Sequence, residues 1–206
     1  MNSTNAITRS HFLRRGIHML VKNTAEFVAD SVKKNLDKAV IPLHRPPGAE
    51  DELNFLLKCT RCDKCIEACP HDALQKAGTK YGPAAGTPFI KPSDNPCYLC
   101  EDFPCITACK DNALLPVTGL FVNMGDAHLI RNRCFAYMGQ VCDYCYTNCP
   151  SKGKAIIMEN GKPQIIAECC TGCGICEYLC PAPKKAIMVL PARPGFSGER
   201  KNITVS

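Results

Sequence analysis

Cys59-Thr60-Arg61-Cys62-Asp63-Lys64-Cys65-Ile66-Glu67-Ala68-Cys69-Pro70 is the stretch on which the reading of this sequence turns. Its four cysteines are separated by two, two and three residues, and a proline follows the last. Spacers of two residues let three successive thiolates reach three irons of one cubane. The fourth cysteine starts a segment that points elsewhere, and in two-cluster ferredoxins it ligates the other cluster. The proline after it sets the chain direction and carries no N–H that needs a partner.

The pattern recurs three more times, as an internal repeat. Cys170, Cys173, Cys176 and Cys180, with Pro181, reproduce it fully. Cys97, Cys100, Cys105 and Cys109 carry a short insertion, as do Cys134, Cys142, Cys145 and Cys149 before Pro150. Zinc modules usually separate two C-x2-C pairs by a longer spacer. The odd total of 17 cysteines and their clustering argue against a disulfide framework. The expected cofactors are therefore four [4Fe–4S] clusters, with these sixteen cysteines as iron ligands. Cys169 and Cys170 compete for one place. Cys170 stands three residues before Cys173, as the complete repeat requires, so Cys169 is expected to be a non-ligand.

The composition agrees with a chain stapled by metal. Trp is absent, aromatics are 7%, and the 46% of hydrophobic residues includes all the cysteines. A core so poor in large side chains is expected to fold only with its clusters, because sixteen thiolates would repel one another without iron. The formal charge of +6 counts each thiol as neutral. Four oxidised cubanes with their thiolates bring it to about −2, so the basic balance offsets cluster charge and does not indicate nucleic acid. No enzyme activity is expected. Sixteen matched cysteines leave no iron open for a substrate, and no Gly-rich nucleotide loop follows a strand.

The fold class expected is α+β. Short helices follow the cysteine triplets, as in Cys65-Ile66-Glu67-Ala68-Cys69. Strand-like runs lie between the motifs: Phe89-Ile90, Leu120-Phe121-Val122, His128-Leu129-Ile130, Ala155–Met158, Gln164–Ile166 and Ala186–Leu190. Asn160-Gly161 signals a hairpin turn. From Pro191 to Ser206 an irregular tail is expected. At the other end, Ile17, Leu20, Val21, Val28, Val32, Leu36 and Val40 recur at helical spacing, which predicts a helix over 11–41. This helix is expected to anchor the chain to a partner. Pro42, Pro46, Pro47 and Gly48 are expected to end it and form a linker, so that residues 1–44 are an extension.

Thr8-Arg9-Ser10-His11-Phe12-Leu13-Arg14 resembles a twin-arginine export motif with Ser10 in place of the second Arg. Lys22, Glu26 and Asp30 interrupt what would be its apolar region, so export is not expected and a cytoplasmic location is. No run of 18 apolar residues occurs, and no transmembrane segment is expected.

Several ordered stretches resemble the MauM/NapG family of ferredoxin-type proteins over about residues 45–190. They are Arg45-Pro46-Pro47-Gly48-Ala49, the Cys59–Pro70 motif, Ala85–Ile90, Pro96–Cys109, Cys142–Pro150, Cys170–Cys180 and Ala186–Pro191. The resemblance implies a carrier with four [4Fe–4S] clusters in a quinol-to-periplasmic-oxidoreductase chain, beside a membrane-bound ferredoxin-type partner. A periplasmic or membrane-associated location is thus the alternative. The altered export motif favours a cytoplasmic electron-transfer subunit serving a molybdenum or tungsten oxidoreductase, with a catalytic subunit and a donor or acceptor subunit as partners.

Similar four-cluster subunits imply two ferredoxin-like modules with nested motifs. The outer module joins 59–69 with 170–180, and the inner one joins 97–109 with 134–149. The ligand sets so implied are Cys59, Cys62, Cys65 and Cys180; Cys170, Cys173, Cys176 and Cys69; Cys97, Cys100, Cys105 and Cys149; and Cys134, Cys142, Cys145 and Cys109.

Overall fold

The computed structural model describes residues 41–117 and 122–192. The helix expected over 11–41 therefore lies outside the described residues except for Ile41, and so do Leu120-Phe121 and the tail beyond residue 192.

In the first half, helix α1 (Glu52–Lys58) is started by Asp51, whose carboxylate accepts from the Asn54 amide at 3.3 Å. Glu52 in its first turn and Lys58 in its last suit the helix dipole, and Phe55 is wholly buried. The first cysteine loop leads into the one-turn helix α2 (Lys64–Glu67). Strand β1 (Leu74–Lys76) then pairs antiparallel with β2 (Pro88–Ile90), Leu74 facing Ile90. The second cysteine loop ends in α3 (Pro104–Thr107), where Pro104 occupies the first helical position and its missing N–H costs nothing.

The second half repeats this plan. Strand β3 (Gly125–Leu129) precedes the third cysteine loop and α4 (Tyr144–Thr147). The hairpin β4 (Ile156–Glu159) and β5 (Lys162–Ile165) follows, turning at Asn160 and Gly161 with φ of 51° and 74°. Both values are left-handed, as a type I′ turn requires. The fourth loop leads into α5 (Ile175–Tyr178), and β6 (Ile187–Pro191) returns to pair antiparallel with β3. Each half thus reads outer strand, cysteine motif, inner hairpin, cysteine motif, outer strand. In the first half a single bridge between Ala49 and Leu114 takes the place of the β3–β6 ladder.

The α+β class stands, with three two-stranded sheets among the described residues. The linker expected at 42–48 does not. Leu43, His44, Arg45, Pro46 and Pro47 are buried. His44 bridges to Ile90, and the Gly48 carbonyl accepts from Leu115 N at 2.7 Å. Arg45 lies over the Phe55 ring at 4.6 Å, pairs with Glu52, and donates to Thr87 Oγ1 and Pro88 O, both at 2.8 Å. Prolines here fix an extended edge segment against the core; composition alone does not separate that role from a linker. The compact unit begins at Ile41. One apolar cluster contains Phe55, Ile90 and Leu114 together with Met124, Cys173 and Ile175, so the two halves share a core.

Candidate metal centres

Four cavities of about 20 Å³ each are lined by four cysteines apiece. Tetrad I is Cys59, Cys62, Cys65 and Cys109. Tetrad II is Cys69, Cys97, Cys100 and Cys105. Tetrad III is Cys134, Cys142, Cys145 and Cys180. Tetrad IV is Cys149, Cys170, Cys173 and Cys176. Every one of the sixteen cysteines singled out above falls in a tetrad. Each tetrad takes three from one motif and the last from another.

This arrangement corrects the nested pairing. Cys109 joins the first motif and Cys69 the second, while Cys180 joins the third and Cys149 the fourth. The cause is the inner hairpin. β1–β2 returns the chain beside the first motif, so the second motif packs there; β4–β5 does the same for the third and fourth.

The loops are shaped to aim amides at sulfur. Arg61 and Asp63 flank Cys62 with φ of 60° and 64°, and Gly172 and Gly174 flank Cys173 with φ of 73° and 89°. In the second loop Leu99 and Phe103 take the same left-handed conformation. Successive turns of this kind make a concave nest of N–H groups. In the fourth loop glycine adopts it freely, and a Cβ at Gly172 would stand 2.3 Å from Gly125 N. Gly172 N points at Cys170 Sγ at 3.4 Å, Ala73 N at Cys69 Sγ at 3.4 Å, and Ala186 N at Cys180 Sγ at 3.3 Å. Such hydrogen bonds stabilise charge on ligating sulfur. Among the described residues no set of three or more His, Cys, Asp or Glu closes on a single ion. The thiols surround cavities instead, as ligands of a body with several metal corners do. Soft sulfur donors, N–H groups directed at them and apolar walls fit [4Fe–4S].

Burial pushes the thiols of Cys65, Cys97 and Cys145 up to about 12, and those of Cys105 and Cys149 to about 11. Cys176 is raised too, first by burial and then by the thiols around it. Without metal these groups are neutral at pH 7. For these buried thiols, repulsion between thiolates is therefore not what opposes the metal-free fold, and metal binding there releases protons.

Tetrad IV is lined by Cys170 and not by Cys169, which sits half-buried in the 3-10 turn Ala167–Cys169. Counted from Cys169, the stretch with Cys173 and Cys176 also has the C-x3-C-x2-C spacing used by radical-initiating clusters. That spacing gives only three ligands. Here Cys149 brings the thiols lining the cavity to four. Cys169→Ser is expected to keep the full iron content, and Cys170→Ser to lose iron at one site. The reverse result by iron analysis would show that the register begins at Cys169.

His44 is a buried group that sequence reasoning missed. It lies 3.0 Å from where a Cβ on Gly125 would stand, and neither ring nitrogen has a hydrogen-bond partner. Burial lowers its pKa from 6.5 to about 4, weakly opposed by the Gly172 backbone. The unfolded chain therefore takes up this proton first, and stability falls as pH falls from 6.5 towards 4. The loss is about 3 kcal/mol across that window. His44→Leu is expected to show a shallower loss there, measured as the denaturant midpoint of iron–sulfur absorbance at each pH. Equal slopes in both proteins would contradict this.

The geometry, with four thiol tetrads that each take a fourth cysteine from a second motif, defines a ferredoxin-type iron–sulfur electron carrier. The 4Fe-4S binding domain family matches residues 56–75, spanning the first motif. The chain is 36% identical over 197 residues to the ferredoxin-type protein NapG of Escherichia coli K12, covering 89% of this chain and 85% of that one. It is 37% identical over 181 residues to the methylamine utilization ferredoxin-type protein MauM of Methylorubrum extorquens, covering 82% of each. MauM of Methylobacillus flagellatus is 40% identical over 163 residues, 74% of this chain and 70% of that one. The chain belongs to the NapG/MauM family of ferredoxin-type proteins. No solved structure matches it.

Proposed function

We propose that this chain is a non-catalytic electron-transfer subunit holding four [4Fe–4S] clusters, one in each tetrad, and that its halves act as two linked ferredoxin-like modules. The observation that carries the reading is the set of four cavities, each lined by four cysteines drawn from two motifs. A bound cubane supplies a centre that takes up and returns one electron with little change of shape. The protein's part is to fix the thiols, direct N–H groups at them and keep water from their apolar side. Cys62 is the one exposed cysteine among the described residues, so tetrad I lies within reach of a docked partner.

Charges differ between neighbouring tetrads. The Arg61 guanidinium acts on Cys59, whereas Asp102 acts on Cys100. This supports an easier reduction at tetrad I than at tetrad II, since positive charge favours the added electron.

The partners in this reading are redox proteins, a donor or acceptor subunit and the catalytic subunit of a molybdenum or tungsten oxidoreductase in the cytoplasm. The altered export motif around Ser10 supports that choice. The similarity to NapG favours a second reading, the one the family resemblance implies: a quinol-to-periplasmic nitrate reductase chain, with this protein on the periplasmic side. No described helix is long and apolar enough to cross a membrane. A mediated redox titration of the isolated holoprotein tests the shared core of both readings. Reversible uptake of about four electrons per chain without turnover is expected. Irreversible reduction, or turnover of a substrate by the chain alone, would overturn it.

A further inference from the structure

Helix α2 connects Cys65 of tetrad I to Cys69 of tetrad II, and α3 connects Cys105 of II to Cys109 of I. One helical turn separates the members of each pair, so I and II are neighbours. In the other half α4 connects Cys145 of III to Cys149 of IV, and α5 connects Cys176 of IV to Cys180 of III. The motif symmetry leaves open which of III and IV faces the first half.

Contacts between the halves answer that. Cys97 N of tetrad II donates to Cys173 O of tetrad IV at 2.9 Å. Beside it, Gly174 meets Pro92 so closely that a Cβ there would stand 2.5 Å from the proline Cβ. Cys65, Cys97, Cys105 and Cys173 belong to one apolar cluster with Ile90 and Ile175. Cys134, by contrast, sits in a separate cluster with Ala136, Ala182 and Ala186, against which Cys142 and Cys180 pack.

We propose that the tetrads run in the order I, II, IV, III, with the crossing between halves at Cys97 and Cys173, so that II and IV are interior and I and III are the terminal exchange sites. The inference rests on the reading that each tetrad holds a cluster. One electron taken from a redox protein at one terminal site leaves to a redox protein at the other, and the chain ends unchanged. The partners are thus placed at opposite ends: one at the face bearing Cys62, the other near the exposed Met138, Val141 and Tyr144 of the third cysteine loop.

Magnetic coupling in the dithionite-reduced holoprotein tests the order without any activity assay. Emptying tetrad III with Cys142→Ala and Cys145→Ala is expected to leave three mutually coupled spins. Emptying tetrad IV with Cys170→Ala and Cys176→Ala is expected to isolate the remaining spin at III, which then gives a narrow, uncoupled signal. The opposite pair of results would overturn the order in favour of the sequence order. Should either variant lose all its iron, anomalous scattering from the irons of the intact holoprotein decides. The closest approach between halves must join II to IV, and a closest approach joining II to III overturns the proposal. Iron analysis of the unaltered protein separates the two levels. About sixteen irons with the wrong order sinks the order alone, whereas eight or fewer sinks the four-cluster reading and the order with it.

Discussion

Anaerobic chelation of the iron is expected to abolish the cooperative fold, with near-UV circular dichroism lost and no sharp melting transition left. The reason lies in how little else holds this chain. Its longest described helix is α1, with seven residues, and α2 to α5 have four each. Helices this short are unstable alone in water. The three sheets have two strands each, and isolated two-stranded pairs are marginal at best. Cysteines take up a large share of the buried positions, and in the metal-free chain their thiols line empty cavities. Structural metal sites contribute on the order of 10 kcal/mol of folding free energy each, as much as the whole stability of an ordinary domain, about 5–15 kcal/mol. An iron-free protein with native near-UV signals and a cooperative melt would contradict the account.

The exchanged fourth ligands lead to the second large effect. Cys109→Ala is expected to empty tetrad I, and so is Cys62→Ala, each leaving about twelve irons. Because both act on one site, the double variant is expected to hold about twelve as well. Had the motifs been nested, Cys109 would serve the third motif and Cys62 the first, and the double variant would hold about eight. The same comparison applies to Cys69 with Cys100 in tetrad II. Iron content per folded chain is the readout, and additive loss in the first pair would refute the exchanged pairing.

Much of this was legible in the sequence, for identifiable reasons. Cysteine spacing is local and readable: Cys170 stands three residues before Cys173, and it lines the tetrad IV cavity where Cys169 does not. The Asn160-Gly161 turn was legible because its left-handed φ values suit those two residues. That turn also held the clue to motif pairing: a hairpin between the third and fourth motifs must bring them together. The nested expectation came from other subunits and overlooked it. Strand β1 was missed because Leu74-Gln75-Lys76 is three residues with one buried side chain, too short for alternation to show. The burial of Leu43–Pro47 was hidden because Arg45 is stabilised by partners distant in sequence, Thr87 and Pro88. His44 gave no local signal, since its surroundings come from Gly125 and Gly172.

The central claim is that four tetrads hold four cubanes. Iron and acid-labile sulfide measured on anaerobically purified protein tests it most directly. The account predicts about sixteen of each per chain; a reproducible value of eight or fewer would contradict it.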